Sequence, residues 1–209
     1  MSVTLVVGNG ESRLKFDLQQ IAHNTVIGCN AAYRDLSVDH LICCDRRMAQ
    51  EACENIENPE TLIYVRDRHY HYFRKIKKLK NIRKLPNIPF VSEMKRDQPD
   101  HWGSGPYAVS VAAQLENQKI VLVGFDLYSS DGKINNIYKD TENYNKSSSQ
   151  AVDHSYWVHQ IARVFAHHPD KEFIIANEQN WSMPKQWGLD NVQFKNFGEF
   201  FLDNKYLCN

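Results

Sequence analysis

The chain predicts an α/β fold: one open, doubly wound sheet of mostly parallel strands, with a polar lid inserted at about residues 127–152. Three observations predict it. Short apolar runs rich in Val, Ile and Leu recur at residues 3–7, 26–29, 40–44, 62–65, 120–124 and 172–176. Segments of helical periodicity separate them, at 13–22, 46–56, 67–80, 106–116 and 154–167. Strands that are apolar throughout, rather than alternating, suit a parallel sheet covered on both faces. The length of 209 residues is enough for one well-buried domain, residues 1–209, and too short for a closed eight-fold barrel.

Taken in order, the first run ends in the turn Gly8-Asn9-Gly10-Glu11-Ser12, so a strand enters a glycine turn. A second glycine turn, Gly103-Ser104-Gly105-Pro106-Tyr107, opens the helical segment 106–116. In a parallel sheet both turns lie at the carboxyl edge, where backbone N–H groups and helix N-termini attract phosphate. Glycine also serves tight turns that hold no ligand, so a purely structural reading stands beside the anion-binding one.

Two segments depart from the strand–helix rhythm. Residues 127–152 are polar, rich in Asn, Ser and Asp, and carry Tyr128, Tyr138 and Tyr144. A loop this long in a compact domain is functional or disordered, and the tyrosines favour a movable lid. Residues 66–84 concentrate basic side chains around a stripe of Tyr70, Phe73, Ile76, Leu79 and Lys80, which reads as a helix with a solvated basic face.

Bulk properties remove several classes of function. Basic and acidic residues balance at 25 each, so no overall field draws nucleic acid or membrane, and nucleic acid is not an expected partner. No apolar run approaches the roughly 20 residues that span a bilayer. Residues 1–7 lack the pattern of a signal peptide, so a cytoplasmic location is expected. The five cysteines, Cys29, Cys43, Cys44, Cys53 and Cys208, form no Cys-x-x-Cys and read as reduced thiols rather than a zinc site.

Four ordered blocks resemble the bacterial sialyltransferases of glycosyltransferase family 42. More loosely, they resemble the wider Gly-x-Gly-Pro-Ser group that includes hydroxymethylpterin pyrophosphokinase-like proteins. The blocks are Val6 to Ser12, with Glu11 where the family has Pro; Gly28-Cys29-Asn30-Ala31-Ala32-Tyr33; Gly103 through Val123-Gly124-Phe125-Asp126-Leu127-Tyr128; and Asp153-His154-Ser155. The resemblance implies a Rossmann-like fold binding a nucleotide sugar, of CMP type, whose sugar passes with inversion to an acceptor hydroxyl. No metal or other cofactor is implied, and homo-oligomers are common in the family. It also implies His154 as general base, Tyr128 and Tyr138 as donors to the leaving phosphate, and Asn9 as a phosphate contact. Asn30 and Ser104 would orient sugar or ribose, within a donor site completed by Gly8, Gly10, Ser12, Asp45, Gly103 and Gly105.

Those roles are chemically coherent. An imidazole titrates near neutral pH and can take a hydroxyl proton. Phenol hydroxyls can donate to a developing phosphate charge. Structural readings accompany them: Ser104 as a helix N-cap, Asp153 as another, Tyr128 as core, and His159, His167 and His168 as helix-surface residues. Two departures point away from an acidic sugar. Asp45 stands where the sialyltransferases present an amide, and His101 where they often have arginine. Asp45 also leaves open an Mg²⁺-dependent pyrophosphoryl or nucleotidyl transfer, and a non-catalytic nucleotide- or anion-binding module is the third reading.

Overall fold

The computed structural model describes residues 2–18, 21, 23–129 and 131–203, and all of these side chains except that of Ile76. Cys208, Ser130 of the lid, and positions 19, 20 and 22 of the helix expected over 13–22 lie outside the described residues.

Eight parallel strands form one sheet in the order β5-β4-β3-β2-β1-β6-β7-β8. They are β1 (Val3–Val7), β2 (Thr25–Cys29), β3 (His40–Cys43), β4 (Leu62–Val65), β5 (Ile82–Lys84), β6 (Lys119–Val123), β7 (Glu172–Asn177) and β8 (Val192–Asn196). The expected open, doubly wound α/β sheet is therefore present. Chain order runs outward from β1 to β5, then returns so that β6 pairs with β1 on its other side. The carboxyl ends of β1 and β6 thus flank the point where winding reverses, the place where open sheets form a crevice.

Side-chain alternation along each strand supplies two cores. Val6, Ile27, Ile42, Leu122 and Ile175 face α3 (Ser104–Gln114) and α4 (Ser155–His167). Leu5, Val7, Leu41, Ile63, Val121 and Ile174 share the opposite core with Met48 and Ala52 of α1 (Arg46–Asn55) and Phe200 of α5 (Phe197–Asp203). Phe16 joins α5 to this core, its ring 4.9 Å from Phe197 and 5.4 Å from Phe200.

Several expected boundaries shift. The helix expected over 13–22 is a 3-10 helix over Glu11–Lys15. That expected over 67–80 is α2 (Asp67–His71) continued by a π-helical turn, Tyr72–Ile76, and the chain turns at Lys78, where φ is 57°. Edge strands β5 and β8 escape apolar-run reading because only Ile82 and Val192 in them are buried. Residues 127–152 contain no helix or strand among those described, and Lys133 and Gln150 form an isolated antiparallel bridge.

Candidate functional site

The turn after β1 is pressed against the turn after β6. Gly8 N donates to Val123 O at 2.8 Å and Gly10 N to Gly124 O at 2.9 Å. A Cβ on Gly8 would lie 2.4 Å from Gly124 O, and one on Gly10 would lie 2.4 Å from Asp126 Cγ. Close backbone approach therefore accounts for both glycines. Glu11 N donates to Asn135 Oδ1 and Ser12 N to Asp126 Oδ2, at 2.8 and 2.9 Å. The sequence expectation that this turn offers its amides to phosphate is corrected: the amides of Gly8, Gly10, Glu11 and Ser12 are engaged within the protein.

Among the described residues, amides without a capping side chain occur at α3 instead. Gly103 is its N-cap and supplies no side-chain cap, so the first-turn N–H groups of Ser104 and Gly105 have no capping side chain. Ser104 is not the N-cap. Its hydroxyl donates to Asn30 Oδ1 at 2.9 Å and accepts from Cys44 N at 3.1 Å. Asn30 holds a left-handed backbone, φ 50°, at the end of β2, which aims its amide across to α3. Asn9 Nδ2 donates to Cys29 O at 3.1 Å and to the Tyr144 hydroxyl at 3.2 Å. Tyr144 thereby steadies the turn after β1, as does Ile137, whose N–H donates to Asn9 O at 2.9 Å.

These groups enclose a cavity of about 350 Å³ at the carboxyl edge. Of the expected donor-site residues, Gly8, Asn9, Gly10, Asn30, Asp45, Gly103, Ser104 and Gly105 line it. Asp126, Asn135, Asn136 and Trp157 line it as well and had not been singled out for it. Asp45 caps α1, its carboxylate accepting from Arg47 N at 2.7 Å. No group of three or more metal-ligating His, Cys, Asp or Glu occurs among the described residues. Arg66, which follows β4, braces this edge, donating to the carbonyls of Cys44, Pro99 and Trp102 at 3.1, 2.7 and 2.7 Å.

Ser12, Tyr128, Tyr138 and His154 do not line this cavity. Both polar groups of Ser12 meet Asp126. Tyr138 is buried in the α1-side core, its hydroxyl donating to Asp35 and accepting from Arg13 at 2.9 Å. Burial first, then Asp35, push its phenol well above the usual value. His154 immediately precedes α4 and packs on Tyr128 with ring centroids 5.6 Å apart. The Tyr128 hydroxyl donates to Ser182 O at 2.6 Å and accepts from Ser182 N at 2.9 Å. His154 and Tyr128 line a neighbouring cleft. His159 is also more than a helix-surface residue: its ring is bound to Asp97, 62 positions away, a pairing that no local spacing reveals.

The strand order and the cavity at the winding reversal define a Rossmann-like α/β chain with a ligand-sized site. No protein-family model and no curated protein matches the sequence. Among solved structures the fold is similar to that of the MAf glycosyltransferase from Magnetospirillum magneticum AMB-1, with TM-score 0.58 and 12% identity over 94% of this chain. The match takes in 34% of that chain, so this protein spans about a third of its length. The likeness is one of fold. No helix among the described residues is long and apolar enough to cross a membrane.

Proposed function

We propose that this chain is a glycosyltransferase that binds a nucleotide sugar in the 350 Å³ cavity and passes its sugar to an acceptor hydroxyl. The observation that carries the reading is convergence. Asn9, Asn30, Asp45 and Ser104 arrive from β1, β2, β3 and α3 at one cavity beside the uncapped α3 N-terminus. A donor phosphate fits the Ser104 and Gly105 amides, where the helix field favours negative charge. In this reading Asn30 and Ser104 meet hydroxyls of the sugar or ribose. The likeness to family 42 favours a CMP-type donor, while the Asp45 carboxylate on the cavity wall disfavours an acidic sugar.

In the transfer, the acceptor oxygen forms a bond to the anomeric carbon from the face opposite the phosphate. The bond from that carbon to the phosphate oxygen breaks, and its electron pair leaves with the nucleotide. The acceptor proton passes to the His154 imidazole at the neighbouring cleft. Inversion at the anomeric carbon follows from a single displacement.

The test is thermal stabilisation of the parent protein, Ser104→Ala and His154→Ala by CMP, UDP, GDP and ATP, with and without Mg²⁺. A ligand at a hundred times its dissociation constant adds about 2.7 kcal/mol. One nucleotide should stabilise the parent and His154→Ala alike and Ser104→Ala much less. With the matching sugar nucleotide, His154→Ala should lose transfer by roughly 10²-fold or more. Stabilisation by none of the panel sinks the reading.

A further inference from the structure

The cleft beside His154 has a volume of about 460 Å³ and contains a pairing that the transfer scheme does not use. His159 of α4 places Nε2 2.6 Å from Asp97 Oδ1. Asp97 is fully buried at 0% exposure, and its other oxygen accepts from the Ser92 hydroxyl at 2.5 Å. Burial alone would raise this carboxyl. The Ser92 and His159 bonds outweigh burial and hold it below the usual carboxylate value, so it is ionised.

The loop carrying Asp97 is pinned to the same helix. Gln160 donates to Arg96 O at 2.9 Å and to His101 O at 3.0 Å, so α4 holds the loop on both sides of the pair. A carboxylate on Nε2 fixes the proton there and leaves Nδ1 as the remaining polar atom of a ring that lines the cleft. The imidazole is thus bound to a buried carboxylate through one nitrogen while its ring lines the cleft.

Arg96 lines the same cleft, is exposed, and has no carboxylate within ion-pair distance among the described residues. Its guanidinium donates to the Met94 sulfur at 3.6 Å. Thus Arg96, His154 and His159 line the cleft together with Ser155 and Ser182, and among the described residues no Asp or Glu lines it. Asp153, next to His154 along the chain, is engaged by the N–H and hydroxyl of Ser155.

We infer that this cleft is the acceptor subsite and that it selects an acceptor carrying an anionic oxygen group, a carboxylate or a phosphate, held by Arg96 and His159. The word acceptor rests on the proposed transfer; the anion site does not. Its test is NMR of the histidine ring C–H signals in the full chain, assigned with His154→Gln and His159→Gln. Glucuronate, inorganic phosphate and glucose are titrated separately to about 50 mM, enough to fill a site of roughly 10 mM affinity.

Glucuronate or phosphate should move the His159 signal saturably, and glucose should not. Arg96→Gln, an exposed change, should weaken the active anion roughly tenfold at an unchanged melting temperature. Response to glucuronate alone marks a carboxylate acceptor, and response to phosphate alone a phosphorylated one. A His159 signal unmoved by both anions, or binding retained within about twofold in Arg96→Gln, overturns the inference. CMP titrated in parallel separates the two readings. A nucleotide that binds while both anions fail leaves transfer standing, and the reverse result leaves only the anion subsite.

Discussion

Ser12 meets Asp126 twice, its backbone N–H donating to Oδ2 at 2.9 Å and its hydroxyl to Oδ1. This double contact joins the turn after β1 to the turn after β6, the two sides of the winding reversal, and Asn177 Nδ2 of β7 adds a longer approach at 3.4 Å. Ser12 does not line the cavity, whereas Asp126 and Gly10 do, so Ser12 shapes the site through them.

Ser12→Ala should therefore cost about 1–3 kcal/mol, because a buried carboxylate loses a donor. Urea denaturation measures it. Nucleotide affinity should fall alongside stability, since Gly10 packs on the carboxylate that shifts. A stability loss below about 0.5 kcal/mol would show the double contact to be dispensable.

Ser104→Ala should separate binding from folding. The hydroxyl connects Asn30 to the β3 end through Cys44 N, and removing it leaves one buried N–H without that acceptor, a cost of about 1 kcal/mol. Asn30 loses the bond that aims its amide into the cavity. Calorimetry with the nucleotide chosen by thermal stabilisation should show affinity lower by roughly tenfold or more. Parent-like affinity would place the nucleotide elsewhere.

Tyr138→Phe discriminates a buried brace from a leaving-group donor. In the structure the hydroxyl joins Arg13 and Asp35 in the core opposite α3. Its removal should cost about 1–2 kcal/mol of stability and leave kcat within about threefold of the parent. A hundredfold fall in kcat at unchanged stability would return Tyr138 to the reaction centre.

Asp97→Asn should reveal an acid-dependent part of the stability. A carboxyl held below its ordinary value of 3.8 contributes stability that is fully present above that value and lost as pH falls through the lower folded value. Parent and Asp97→Asn should differ by about 2 kcal/mol at pH 7, and the gap should narrow below about pH 4. Paired urea titrations at pH 7 and pH 3 check the sign; a gap that widens in acid contradicts the pairing.

Much of the fold and part of the site were legible because they rest on local patterns. Apolar runs marked six inner strands, and glycine turns marked the cavity's two main walls. What escaped depends on distant partners or on edges. β5 and β8 bury one residue each, so no apolar run announces them. Gly8 and Gly10 suggested a phosphate cradle, but their amides face β6, which only the strand order reveals. Within the expected lid, the resemblance assigns Tyr138 to the leaving phosphate and gives Tyr144 no role. The first joins Arg13 and Asp35, and the second supports Asn9, a difference set by tertiary packing.

Cys44 provides a probe of the cavity that needs no substitution. Burial pushes its thiol up to about 11 despite the pull of Arg66 and Ser104, and Cys29 rises to about 12. Both line the cavity, whereas Cys53 lies outside it. A raised thiol value keeps the group protonated until the pH approaches that value, so at pH 8 only about one Cys44 in a thousand is thiolate, against roughly a quarter of ordinary cysteines. Alkylation by iodoacetamide should be at least about a hundredfold slower than for a free thiol, and should rise about tenfold from pH 8 to pH 9 without levelling. Bound nucleotide should slow labelling of Cys44 and Cys29 further and leave Cys53 unchanged, as read by mass spectrometry of pulse-labelled protein. Rapid labelling of Cys44 at pH 8, or protection of Cys53 instead, would mean that the nucleotide does not enter between β1, β2, β3 and α3.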